Sequence, residues 1–93
     1  MQFLRERFIK VTDNWYPCYN SQRVKLRLSL NYFKNYYVKL AAWGADDTAY
    51  EVEYNYSTFK EAIQKYYELI PFYETIPNGI DKMWFINNGF ERF

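Results

Sequence analysis

From Arg23 to Leu30 apolar and polar residues alternate without a break: Val24, Leu26, Leu28 and Leu30 fall on one side of an extended chain, Arg23, Lys25, Arg27 and Ser29 on the other. A strict period of two predicts a half-buried β-strand. Tyr37–Trp43 repeats the pattern, with Val38, Leu40 and Ala42 against Tyr37, Lys39, Ala41 and Trp43. Ala49–Tyr56 repeats it again, with Tyr50, Val52, Tyr54 and Tyr56 against Glu51, Glu53 and Asn55. Tyr32–Asn35 has room only for a hairpin turn, and Gly44–Asp47 supplies the next one, so the three strands form an antiparallel meander. Tight hairpins place Lys39 between Arg27 and Glu51 or Glu53 on the solvent face. Phe3–Thr12 is β-rich and predicts a fourth strand. Its apolar residues (Phe3, Leu4, Phe8, Ile9, Val11) do not keep one phase, which is the mark of a bulge or an edge position. Asp13–Gln22, with Pro17, Asn20 and Ser21, reads as an irregular connection whose Trp15, Tyr16 and Tyr19 pack beneath it or stand exposed.

The period then changes. Thr58-Phe59-Lys60-Glu61 fits a capping box, and Phe59, Ala62, Ile63, Tyr66 and Ile70 follow at helical spacing as one apolar stripe. Pro71 ends or bends this helix. Asp81 caps a second, shorter helix that runs through Ile86 and stops at Asn87-Asn88-Gly89. Strands first and helices after predict an α+β fold: an antiparallel sheet of three to four strands, covered on one face by one long and one short C-terminal helix, in ββββαα order. Residues 1–93 form one domain on this reading.

Composition narrows the chemistry. With 49% hydrophobic and 24% aromatic residues the chain has the material for a core despite its 93 residues. It contains no His, which removes the commonest general base and metal ligand and rules out triads built on Ser-His or Cys-His. Cys18 is the only cysteine, so neither an intramolecular disulfide nor a Cys-rich zinc site forms. A single thiol fits a reducing compartment, and Arg5, Glu6 and Arg7 interrupt the first apolar stretch, so a signal peptide and a membrane span are not expected. These features predict a cytoplasmic, non-enzymatic protein with no cofactor and no metal.

Charge is polarised although the net value is +1. Residues 1–39 hold eight basic against two acidic side chains, and the remainder holds four against nine. Such a chain is either internally complementary, with basic and acidic strands side by side, or two-faced toward partners. Asp46, Asp47, Glu51 and Glu53 make the densest cluster. Their spacing lacks the regular ligands and turn glycine of a calcium loop, but carboxylates so grouped can stand where phosphates would and engage Arg or Lys of a nucleic-acid enzyme. With Trp43 as aromatic anchor they form the partner-binding candidate. The alternative candidate is Arg23, Lys25, Arg27 and Lys39 with Tyr37, a basic and aromatic sheet face of the kind that tracks a single strand while rings stack on bases.

The run Trp43-Gly44-Ala45-Asp46-Asp47-Thr48, followed by Glu51, by Thr58-Phe59 and Glu61-Ala62, and by Trp84-Phe85 and Gly89-Phe90-Glu91, resembles small open reading frames carried by bacterial phages and mobile elements, some of which are anti-CRISPR inhibitors. The resemblance covers roughly the second half of the chain. It implies a phage-type inhibitor in the bacterial host cytoplasm that binds a host nuclease or nucleoprotein complex, such as a CRISPR effector, through an acidic surface. The alternative expectation is a small single-strand nucleic-acid-binding module. Either is expected as a monomer or small homo-oligomer.

Overall fold

The computed structural model describes residues 7–18, 22–44 and 48–93. Arg5, Tyr19, Asp46 and Asp47, singled out above, lie outside the described residues, as does the start of the fourth predicted strand. The architecture is the expected α+β arrangement. Strands β1 (Arg7–Pro17), β2 (Arg23–Phe33), β3 (Asn35–Trp43) and β4 (Ala49–Tyr56) precede helix α1 (Phe59–Glu74) and helix α2 (Lys82–Asn87), and a two-residue strand β5 (Glu91–Arg92) follows. The sheet is an antiparallel meander in the order β1-β2-β3-β4-β5.

Register explains why the alternation reads so cleanly. Leu28 stands opposite Leu40, and Leu40 opposite Val52; Leu30, Val38 and Tyr54 form the next row, and Leu26, Ala42 and Tyr50 the row on the other side. The β2 and β3 members of these rows are fully buried or nearly so. Helix α1 lies over them through Ala62, Tyr66 and Tyr73, while Ile63 and Ile70 are half-buried. Phe59, counted in the apolar stripe from spacing, is instead exposed, because α1 begins beyond the end of the leucine rows. There it joins Tyr36 and Tyr32 in an aromatic chain, with ring centroids 5.7 and 4.8 Å apart. Tyr50 stacks on Phe85 of α2 at 4.7 Å, which brings the short helix down on β4.

Helix ends follow the local chemistry. Thr58 accepts from Glu61 N–H, and its hydroxyl donates to Glu61 Oε1, so the acidic member reaches the cap through its side chain. Asp81 caps α2 by accepting from Trp84 N–H. Pro71 does not end α1. The helix runs on to Glu74, since stopping earlier would pull Tyr73 out of the core, and Thr75 closes it by donating its hydroxyl to Pro71 O.

Strand β1 departs most from expectation. It extends to Pro17, through residues read as an irregular connection, and its phase slip is a bulge between Phe8 and Lys10. Tyrosines replace apolar packing as its anchor. Tyr16 donates to Tyr73 O (2.8 Å), and Tyr73 Oη lies 2.9 Å from Leu26 O and 3.1 Å from Thr12 O, its single proton shared between them. Burial holds the Tyr73 hydroxyl well above the usual phenol range. Thr12 Oγ1 meets Tyr66 Oη at 2.9 Å. At the far side, Phe93 N–H donates to Ala49 O, continuing the β5 pairing.

Truncating Leu28, buried in the central row, to Ala is expected to cost about 2–5 kcal/mol through lost methylenes and a residual cavity. Ile63→Ala should cost less, because its side chain is half in water already. Urea denaturation of the two variants checks the order; equal losses would mean that α1 sits differently on the sheet.

Candidate functional site

Among the described residues no helix covers the second face of the sheet. Pairing brings onto it Phe8, Val11, Asp13 and Trp15 of β1, Arg23, Lys25, Arg27, Ser29 and Asn31 of β2, Tyr37, Lys39 and Trp43 of β3, Glu51 and Glu53 of β4, and Glu91 of β5. The described members of both candidate sets from the sequence therefore share one surface.

Arg27 organises its centre. Asp13 stands directly opposite on β1, and the guanidinium engages it twice, Nε to Oδ1 at 2.7 Å and Nη2 to Oδ2 at 3.0 Å. The same guanidinium lies 5.3 Å from the Phe8 ring centre and 5.2 Å from that of Trp43, within cation–π range of both rings while its edge meets the carboxylate. Lys25 adds a weaker contact to Asp13 at 3.8 Å. These contacts, the Arg27 hydrogen bonds foremost, hold the Asp13 carboxyl below the usual carboxylate range against the opposing effect of burial, and the same bond raises Arg27.

A second knot lies toward β4. Lys39 is opposite Glu53 in the register and reaches Glu51 at 3.6 Å and Glu53 at 3.9 Å. Its other neighbour is Ser29, not Arg27, which faces Ala41. Such partly exposed pairs contribute only about 0–1 kcal/mol each. Their larger effect is on the field: the basic strands β2 and β3 lie between acidic neighbours and the face is close to neutral.

Aromatics stand out of this neutral ground. Trp15 is 46% exposed and Phe8 53% exposed. Arg23 and Lys25 flank the Trp15 ring at 5.8 and 5.6 Å. The indole reaches across β2 to Gly44, where a Cβ would lie 3.4 Å from Trp15 Cζ3 and where φ is +118°, so this turn position favours glycine on two counts. Trp43 is half-buried. Tyr37, expected as a stacking ring, is buried beneath Lys39 and offers no free face. Ser29 and Asn31 form a buried polar pair, Asn31 Nδ2 donating to Ser29 Oγ at 2.9 Å, while Asn31 Oδ1 has no hydrogen-bond partner.

At the acidic edge Glu51, Val52, Glu53, Gly89 and Glu91 line a hollow of about 180 Å³, below the roughly 300–1,000 Å³ of small-molecule sites. Among the described residues no group of three or more His, Cys, Asp or Glu is placed to hold a metal ion. Cys18 is half-buried, and burial pushes its thiol up, away from the thiolate that nucleophilic chemistry needs. Sequence reasoning missed Asp13, Phe8 and Trp15 as parts of this surface. The available signal was the alternation of Thr12, Asn14 and Tyr16 with Val11, Asp13 and Trp15, hidden by Pro17 and by the phase slip at Ile9.

No protein-family model, no curated protein and no solved structure matches the chain. Among the described residues no helix is long and apolar enough to cross a membrane.

Because the folded Asp13 carboxyl is depressed, its contribution is present above the unfolded value of about 3.9 and disappears as pH falls through the folded one. Asp13→Asn should therefore lose up to about 1 kcal/mol relative to the native chain at neutral pH. The difference should close in strong acid. Parallel thermal melts across that range test it, and a pH-independent gap would show that Arg27 is held by its two rings and not by the carboxylate.

Proposed function

We propose that this chain is a non-enzymatic binding protein that docks the open face of its sheet on a protein partner. The partner class favoured by the sequence resemblance is a nucleic-acid-processing or defence protein in the bacterial cytoplasm, a CRISPR effector nuclease in particular. The observation that carries the reading is the pairing of charges beneath exposed aromatics. A surface that binds phosphates works through cations free to release counterions. Here Lys25 and Arg27 already face Asp13, and Lys39 faces Glu51 and Glu53. A near-neutral face with Trp15, Trp43 and Phe8 around a fixed Arg instead matches the make-up of protein interfaces, whose strongest contacts are Trp, Tyr and Arg. Glu51 and Glu53 sit at the rim, where carboxylates steer a basic partner and can exchange Lys39 for a partner's Arg or Lys. The absence of His and the unactivated thiol support a role without turnover.

The test is inhibition of purified CRISPR effector nucleases, with native protein and with two variants, Trp43→Ala and Glu51→Gln/Glu53→Gln. Each variant should weaken inhibition about tenfold or more, and the carboxylate pair should also lose salt sensitivity. Labelled single-stranded DNA run alongside at two salt concentrations gives the opposing outcome. Tight, steeply salt-dependent DNA binding that vanishes in Arg23→Gln/Lys25→Gln would hand the face to nucleic acid.

A further inference from the structure

We propose that the β2–β3 hairpin tip, with the start of α1 beside it, docks on an anionic lipid surface, the Phe33 ring entering the headgroup layer and Lys34 meeting its phosphates. The inference is independent of what the open face binds. Register gathers the parts. Tyr32 and Phe33 close β2, Lys34 forms the turn, and Arg7 lies opposite Tyr32 on β1. The last residue of β4 pairs with Tyr36 and α1 begins shortly after it, so Phe59 and Lys60 arrive at the same end. Tyr32, Phe33 and Phe59 are all exposed there. Within residues 7–9, 31–37 and 54–61 the charged side chains are Arg7, Lys34, Lys60 and Glu61, and the one carboxylate accepts from the Thr58 hydroxyl. This end is therefore apolar and positive at once, unlike the near-neutral open face. Lys34 has a φ of +68°, the only positive value on a non-glycine among the described residues. Glycine or asparagine would hold this turn at less steric cost. A lysine kept there against that cost marks a side chain with a task.

Charge complementarity selects an anionic occupant, and the arrangement of the rings selects lipid among anions. Nucleic-acid bases stack on open ring faces. Here Tyr32 leans on Tyr36 at 57° with centroids 4.8 Å apart, Tyr36 meets Phe59 at 70° and 5.7 Å, and the Lys34 ammonium lies 5.6 Å from the Phe33 ring centre. Rings packed edge to face and capped by a cation make no flat platform for bases. Tyr32 and Phe33 are also adjacent on one strand and so leave opposite faces of the sheet. The apolar area thus wraps around the tip. A protein would need an acidic socket to receive it, whereas a fluid headgroup layer closes around it from both sides. Burial at that boundary requires apolar area and no fixed ring orientation, and aromatic rings among Lys and Arg are the composition that settles there.

Vesicles of equal parts phosphatidylcholine and phosphatidylglycerol should carry the protein down on sedimentation at low salt, and vesicles of phosphatidylcholine alone should leave it in solution. Lys34→Gly removes the ammonium and relieves the backbone. It should melt no lower than the native chain while vesicle binding falls about fivefold, the share of one cation near an anionic surface. Phe33→Ser, a change at an exposed position, should also weaken binding with an unchanged circular dichroism spectrum. Lys82→Gln, on α2, should leave it as it is. Absence of binding to the anionic vesicles overturns the proposal. So does binding that Lys34→Gly leaves intact, or that neutral vesicles support equally. Capture of single-stranded DNA or of polyglutamate in place of vesicles, lost in Lys34→Gly, would give the tip to a nucleic acid or an acidic protein and overturn it too. The Lys34→Gly arm decides the matter even if Phe33→Ser loosens the hairpin.

Discussion

The contact between the leucine rows of β2 and β3 and the tyrosine-bearing side of α1 fixes which side of the sheet is dry, and the remaining features follow from it. Side chains alternate along a strand, so sealing Leu26, Leu28 and Leu30 beneath a helix turns Arg23, Lys25 and Arg27 outward together. A slip of β2 by one residue would drive those cations under α1. That cost makes the register firm, and a firm register is what sets Asp13 opposite Arg27 and Glu53 opposite Lys39. The charge pattern of the open face is therefore a by-product of core packing, made useful by the residues chosen for the outward positions.

Those positions are used in a particular way. Each of the two basic strands, β2 and β3, has an acidic neighbour on its other side, so the polarisation between the two parts of the chain cancels across the sheet. What remains to distinguish the surface is shape and aromatic area. Arg27 is the clearest case: held by a carboxylate at its edge and close to the rings of Phe8 and Trp43, it has little freedom left to lose on binding. Asn31 is the opposite case. Its Oδ1, without a hydrogen-bond partner among the described residues, costs about 1–3 kcal/mol.

How much of this was legible in the sequence depended on periodicity. β2, β3 and β4 were readable because one face of each is dry and the other wet, and both helix starts because Thr58 and Asp81 are capping residues with their acceptors in place. Pro71, read as ending or bending the helix, does not end it, because Tyr73 has a place in the core. β1 was misread beyond Thr12 because its packing runs through tyrosine hydroxyls and backbone carbonyls, which leave no apolar period behind. The candidate residues were mostly named in advance. Their mutual neutralisation was only one of two open readings, because a list of charges does not say which strands lie side by side.

The tyrosine bolt also bears on how the chain reaches its folded state. From β1 to β4 neighbouring strands are neighbours in sequence, so their hairpins close over short loops and form early. The contacts of Tyr73 with Thr12 and Leu26 span 61 and 47 residues and must wait until α1 has formed and settled. Until then β1 is held by β2 alone. A chain emerging from the ribosome would thus have β1 to β4 paired well before its first strand is clamped by the Tyr73 phenol.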